Sequence, residues 1–262
     1  RAGMSTVTSD NYEVLDSVEG SGTRYEVLGF KSILGNSHAV HAEQLHHLRE
    51  VGMRYQQVKI SLPTKTSVKM EAGALHFMRG PIDLETDMGS LGKFLRRGLS
   101  ALATGEAIIK PVYTGTGEIF LEPSFGHYLL VHLDDDQLIC DDGMFVACDQ
   151  TVEISAHRNK MASGFFGGDG FVQPKMSGTG AVVLKSPAPF EELVRVQLSD
   201  DVLKVDGAFA LARLGDIEFS VEKSTRTFIG SAASGEGLLQ TFRGTGEVWL
   251  NPTEGLHRPP PM

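Results

Sequence analysis

Gly-Thr-Gly occurs three times in this chain, at Gly115-Thr116-Gly117, Gly178-Thr179-Gly180 and Gly244-Thr245-Gly246. Each copy leads into a short apolar run: Ile119-Phe120-Leu121, Val182-Val183-Leu184 and Val248-Trp249-Leu250. A proline follows each run, at Pro123, Pro187 and Pro252. A glycine–acidic pair precedes each copy (Gly105-Glu106, Gly168-Asp169, Gly235-Glu236), with offsets of 10, 10 and 9 residues. Further upstream stand Ala72-Gly73-Ala74-Leu75, Asp142-Gly143-Met144-Phe145 and Asp206-Gly207-Ala208-Phe209, spaced 70 and 64 residues apart. One such tripeptide in a glycine-rich chain says nothing. Three markers in fixed order, three times over, point to internal triplication, and a repeat governs the fold before any local motif does.

The spacing is too long for most solenoid repeats, which run roughly 20–50 residues, so each unit reads as a small β module. Val58-Lys59-Ile60-Ser61-Leu62, Val194-Arg195-Val196-Gln197-Leu198 and Ile217-Glu218-Phe219-Ser220-Val221 alternate apolar with polar residues. That period of two puts one row of side chains on a core and the other toward water. The expected fold is all-β: three tandem β-sandwich or double-stranded β-helix-like modules with a short N-terminal helix. Glycine is abundant, 30 of 262 residues, and the twelve marker glycines are expected at turns or strand bends, where a positive φ or a close backbone approach excludes a side chain.

The expected organisation is a flexible tail over 1–24, an N-terminal extension with the first module over 25–125, modules over 126–188 and 189–254, and a tail over 255–262 that carries Pro259-Pro260-Pro261. Met4, close behind Arg1, is read as the native start. Leu45, Leu48 and Val51 at helical spacing predict a helix over 36–52, ended by Gly52. Asp142-Gly143 reads as a hairpin turn that would pair Cys140 with Phe145 and Cys148 with Gln137. The two sulfurs are then not opposite each other, and free, reduced thiols in a cytoplasmic setting are expected. No apolar run approaches the ~18–20 residues of a membrane-spanning helix, and the first 22 residues lack the apolar core of a signal peptide.

Charge excludes one class of partner. Lys and Arg number 24 against 33 Asp and Glu, so 24 − 33 = −9, which opposes a phosphate backbone and argues against nucleic acid as the ligand. There is no Gly-x-Ser-x-Gly elbow, no phosphate loop ending in Gly-Lys-Ser/Thr and no His-Glu-x-x-His. The Gly-Thr-Gly segments open strand-like runs rather than the helix a dinucleotide fingerprint needs. His38, His41, His46 and His47 cluster on the predicted helix, but adjacent His46 and His47 diverge by roughly 100° and do not converge on a metal. The acidic runs Asp134-Asp135-Asp136, Asp141-Asp142 and Asp200-Asp201 lack the alternating spacing of a calcium loop and read as solvated turns. No catalytic, cofactor or metal residue is assigned. In the insertion Ser90–Ala103, Leu91, Phe94, Leu95 and Leu102 fall at helical spacing beside Lys93, Arg96 and Arg97; Lys93, Phe94, Arg96 and Arg97 are the candidate contact with an anionic membrane surface or a protein partner.

Glu71-Ala72-Gly73-Ala74, the run Gly92-Lys93-Phe94-Leu95-Arg96-Arg97 leading to Thr104-Gly105-Glu106, and Gly235-Glu236-Gly237-Leu238 leading to Gly244-Thr245-Gly246 resemble the altered-inheritance-of-mitochondria family of bacterial and fungal proteins, over roughly residues 55–254. That resemblance implies a fold similar to the tryptophan RNA-binding attenuation protein, a shortened double-stranded β-helix, and a homotrimer whose nine modules form a ring. It brings no catalytic residues. The expected function is a non-enzymatic, ring-like trimeric scaffold or partner-binding protein, in contact with a membrane surface on one version of that reading. The alternatives are an RNA-binding ring and a metal-dependent barrel enzyme or small-ligand binder.

Overall fold

The computed structural model describes residues 7–33, 38–84, 110–159, 171–206, 209–223 and 238–253. Lys93, Phe94, Arg96 and Arg97, the marker glycines Gly105, Gly168, Gly207 and Gly235, and the segment 255–262 lie outside them.

The chain is all-β, with one α-helix among the described residues. A hairpin, β1 (Tyr12–Glu19) and β2 (Arg24–Phe30), precedes α1 (Ala39–Glu50). Three strand sets follow: β3 (Gln56–Met70), β4 (Leu75–Arg79), β5 (Ile82–Leu84) and β6 (Val112–Leu121); then β7 (His127–Cys140), β8 (Phe145–Asp149), β9 (Val152–Asn159) and β10 (Phe171–Ser186); then β11 (Val194–Asp206), β12 (Ala210–Lys223) and β13 (Leu238–Leu250). All pairings are antiparallel, along the path β1-β2-β3-β8-β10-β7-β12-β13-β11, with β4 and β5 on β6, β6 on β3, and β9 on β10. The alternation Val58-Lys59-Ile60-Ser61-Leu62 is read out directly: the apolar residues are buried and the polar ones are not.

Each described tripeptide sits in the last strand of its set, at a register shift against the first strand. Gly117 and Gly246 both have φ +151, and a Cβ there would lie 2.0 Å from the carbonyl oxygens of Arg79 and Leu214. The strand after the marker turn crosses so close that only a missing side chain leaves room. Pairing within the sets also agrees. Leu75, Phe145 and Ala210 face Leu121, Leu184 and Leu250; after a one-residue slip, Phe77, Ala147 and Ala212 face Phe120, Val183 and Trp249.

The Asp142-Gly143 turn corrects the hairpin reading. The Met144 N–H donates to the Asp141 carbonyl at 3.3 Å, and Gly143 takes φ +80; Ala74, Glu71 and Gly73 repeat this at 3.1 Å and φ +82. The turn is tight, but β7 and β8 do not pair with each other: β7 pairs β10 and β12, and β8 pairs β10 and β3. A four-residue turn reverses the chain locally and leaves open which strand each arm pairs with. Cys140 and Cys148 are both buried free thiols.

The flexible tail over 1–24 is also corrected, since residues 12–19 form β1. Its ladder with β2 runs from Tyr12↔Phe30 to Glu19↔Arg24, so cross-strand pairing supplies the order that its polar composition hides. The helix ends where expected. Gly52 at φ +83 donates to the Arg49 carbonyl and Met53 to that of Leu48, both at 2.9 Å, the two bonds of a Schellman cap. Its apolar stripe is not a core face: no residue of α1 is buried, and Val51 is 74% exposed.

Candidate interaction surface

Successive strand sets are joined twice by the same short ladder. At the first joint Met70, Lys69 and Val68 face Ala147, Cys148 and Asp149. At the second, Cys140, Ile139 and Leu138 face Ala212, Arg213 and Leu214. One further bond extends each, from the Glu71 N–H to the Val146 carbonyl at 2.8 Å and from the Asp141 N–H to the Leu211 carbonyl at 2.9 Å.

Each joint also completes a core. The cluster around Tyr25, Ile60, Met70 and Ile119 takes in Val146, Ala147, Ala181 and Val183 from the second set. The cluster around Leu133, Leu138, Met176 and Leu184 takes in Leu211, Ala212 and Trp249 from the third. The third cluster has five buried members, Leu198, Val205, Ile217, Phe242 and Val248, all from its own set.

Register identifies the two unused halves of this joint. Val68, Leu138 and Leu203 each stand opposite the residue two before the first glycine of the tripeptide: Tyr113, Met176 and Phe242. Leu203-Lys204-Val205 on β11 is therefore the third counterpart of one half, and Phe77-Met78-Arg79 on β4 is the first counterpart of the other. Among the described residues β11 pairs only with β13, and β4 only with β6. Phe77 is 37% and Met78 39% exposed at the register positions where the later strand sets hold Ala147-Cys148 and Ala212-Arg213 in their joints. Phe77 stacks on Phe120 with ring centroids 4.4 Å apart, and neither ring belongs to any of the three clusters.

The closed joints are chemically quiet. Burial pushes the Cys148 thiol up to about 12, with Lys69 pulling it back and Asp149 adding to the rise; burial raises Cys140 as well. Neither forms the thiolate that would make it reactive. Arg213 is 3% exposed and donates to Gln173 Oε1 at 2.9 Å and Asn159 Oδ1 at 3.2 Å. Burial brings it down to about 10, against the opposing pull of Asp141. Buried Asp149 accepts four hydrogen bonds: from the Thr23 hydroxyl, from Tyr25 Oη at 2.9 Å, and from the Ser21 and Ala181 N–H groups at 2.7 and 2.8 Å. It fastens the β1–β2 hairpin to β8 and β10, and its acceptor capacity is fully used.

The other sequence candidates fall into place around this. Gly73 and Gly143 hold turns, and Gly115, Gly117, Gly178, Gly180, Gly244 and Gly246 lie in β6, β10 and β13. Asp135 and Asp200 take φ 51 and 52, and their N–H groups donate to the Thr179 and Thr245 hydroxyls at 3.0 and 3.1 Å; these two acidic runs are exposed but, against the expectation of turns, lie inside β7 and β11 at bulges in the ladder, whose extra residue takes the positive φ. His38 and His41 have ring centroids 5.1 Å apart and His46 and His47 5.5 Å apart, and among the described residues no three His, Cys, Asp or Glu side chains converge on a metal position. Sequence reasoning missed Phe77, Met78, Asp149 and Leu203–Val205. The signal for the first two was present: four and five residues after Gly73 stand Phe and Met, where Ala and Cys follow Gly143 at the same spacing.

Three comparisons with known proteins show what this chain is similar to. An uncharacterized protein of Streptococcus pyogenes serotype M6 is 26% identical over 207 residues, covering 76% of this chain and 82% of that protein. An X-ray crystal structure of a Streptococcus pyogenes protein superposes with a TM-score of 0.57 at 22% identity, covering 76% of this chain and 89% of that one; at that identity the likeness is one of fold. The profile of the mitochondrial biogenesis AIM24 family matches residues 49–253, from the end of α1 through β13, and the chain belongs to the AIM24 family.

Proposed function

We propose that this protein is a non-enzymatic scaffold that associates head to tail through β4 and β11 into a homotrimeric ring, and that it works by presenting the assembled surface to a protein partner. The observation that carries this reading is the joint: made twice within the chain, with its two complementary halves unpaired among the described residues, one on the first strand set and one on the third. Pairing Leu203-Lys204-Val205 of one copy with Phe77-Met78-Arg79 of the next repeats the register of both internal joints. It also supplies the part-exposed Phe77 to the third core, in the position that Ala147 occupies in the first core and Ala212 in the second. The contact is heterologous, and such contacts close into rings when the rotation per copy allows it. Three chains, nine modules in all, is the size that the family resemblance implies. A single ancestral β unit copied twice accounts for the shared turns, slips and joints. The inert, buried thiols suit a reducing cytoplasm; among the described residues no helix is long and apolar enough to cross a membrane.

Light scattering of the purified chain tests this, with a trimer mass expected. Met78→Asp places a charge in the proposed joint and reduces the mass to that of a monomer while the β-rich circular dichroism is retained. A wild-type monomer at all concentrations overturns the proposal.

A further inference from the structure

Helix α1 roofs a cavity of about 470 Å³, on a part of the molecule that shares no residue with β4 or β11. Its floor is a row of half-buried rings: Phe30 at the end of β2, Tyr55 just before β3, and Phe125 between β6 and β7. Their centroids lie 5.3 and 4.9 Å apart. Ala42, Leu45, His46 and Arg49 of α1 face them across the space. A helix packed on a sheet ordinarily buries an apolar stripe, but α1 buries none of its residues. The volume falls within the usual range for small-molecule sites, roughly 300–1,000 Å³, and an aromatic wall with a few polar groups at its rim is their usual lining.

The rim is cationic although the chain carries a net charge of −9. Lys31, Arg49 and Arg54 line the cavity beside one carboxylate, Glu13, which is ion-paired to Arg54. Lys31 Nζ donates to the Asp10 carbonyl at 2.8 Å. Arg49 has no carboxylate within ion-pair distance among the described residues. A guanidinium with no ion-paired carboxylate among the described residues, lining an aromatic slot, favours an anionic head group, because the fork of N–H donors matches two oxygens at once.

We propose that this cavity binds an anionic amphiphile: a carboxylate, sulfonate or phosphate head on an aromatic or aliphatic body. The body lies on Phe30, Tyr55 and Phe125, and the head meets Arg49 at the rim.

The test is a fluorescence titration of the full chain with 8-anilinonaphthalene-1-sulfonate, followed by competition with decanoate and with decanol. One saturable site per chain is expected, displaced by decanoate and far less by decanol. Arg49→Glu, on an exposed helix position, weakens binding about tenfold or more; Phe125→Ala weakens it as well; Lys204→Glu, on β11, leaves it unchanged. Unaltered affinity in Arg49→Glu overturns the proposal, as does equal competition by decanol. Displacement by an oligoglutamate peptide but not by decanoate also overturns it, because the occupant would then be an acidic protein segment. Oligomeric state is read separately, so failure here leaves the ring untouched, and a monomeric chain leaves this site standing.

Discussion

At the residue scale, the glycine of each tripeptide and the buried carboxylates show opposite ways in which one side chain decides backbone position. Gly117 and Gly246 matter for what they lack. Ala at either position must relieve both a left-handed φ and a Cβ 2.0 Å from a carbonyl oxygen. Gly246→Ala is expected to destabilise the chain by roughly 2–3 kcal/mol, read as a lower urea midpoint at unchanged slope. Glu118 matters for what it holds. Burial pushes its carboxyl up, but the Val7 N–H, the Arg79 guanidinium and Lys59 outweigh that and hold it below its ordinary value of 4.5. A depressed carboxylate contributes stability above its unfolded pKa and loses it as pH falls through its folded one. The urea midpoint of the wild type is therefore expected to fall as the pH drops through and below the ordinary carboxylate value of 4.5. Glu118→Gln is expected to be less stable at neutral pH and flatter over that pH range.

At the scale of elements, the β1–β2 hairpin and α1 attach in different ways. The hairpin is pinned by Asp149, whose removal leaves the Thr23 and Tyr25 hydroxyls and the Ser21 and Ala181 N–H groups without their acceptor. Asp149→Ala is expected to cost about 3 kcal/mol or more, and native-state hydrogen exchange should report it first in β1 and β2. Helix α1 buries nothing and depends on its own ends. A Cβ at Gly52 meets nothing within 4 Å, so Gly52→Ala is expected to cost only the φ penalty, about 1 kcal/mol. That loss should fray α1 while leaving the sheet's midpoint unchanged. Edges are handled unequally too. β1 has a register slip between Val14 and Asp16 and carries Glu13, Asp16 and Glu19, devices that discourage further pairing. Leu203–Val205 lies beyond the slip of β11 and Phe77–Arg79 directly follows that of β4, so both stretches are regular within themselves.

At the scale of the whole molecule, the proposed ring makes stability and assembly one quantity. A third core finished by a neighbour's Phe77 loses its cover on dilution, so Tm is expected to rise with protein concentration. Met78→Asp is expected to abolish that dependence while leaving the first two cores, which are closed within the chain, folded. Calorimetry over a hundredfold concentration range checks both outcomes.

Much of this architecture was legible in the chain. The alternation in Val58–Leu62 marked a half-buried strand, the marker glycines located turns and close approaches, and Gly52 marked the end of α1. These are local consequences of side-chain size, period and backbone freedom, and they act within a few residues. Partners were not legible. The Asp142-Gly143 turn did not reveal that β7 would pair with β12 rather than β8, nor did the polar composition of residues 12–19 reveal a strand whose hairpin turn, at Ser21 and Thr23, is held by the Asp149 carboxylate more than a hundred positions away. Strand choice is decided by which edges and apolar faces meet when the whole chain collapses, a sum over distant groups to which no single segment holds the answer. For the same reason Phe77 and Met78 read as ordinary apolar residues in the sequence, and only the packed sheet shows that their two counterparts are covered while they are not.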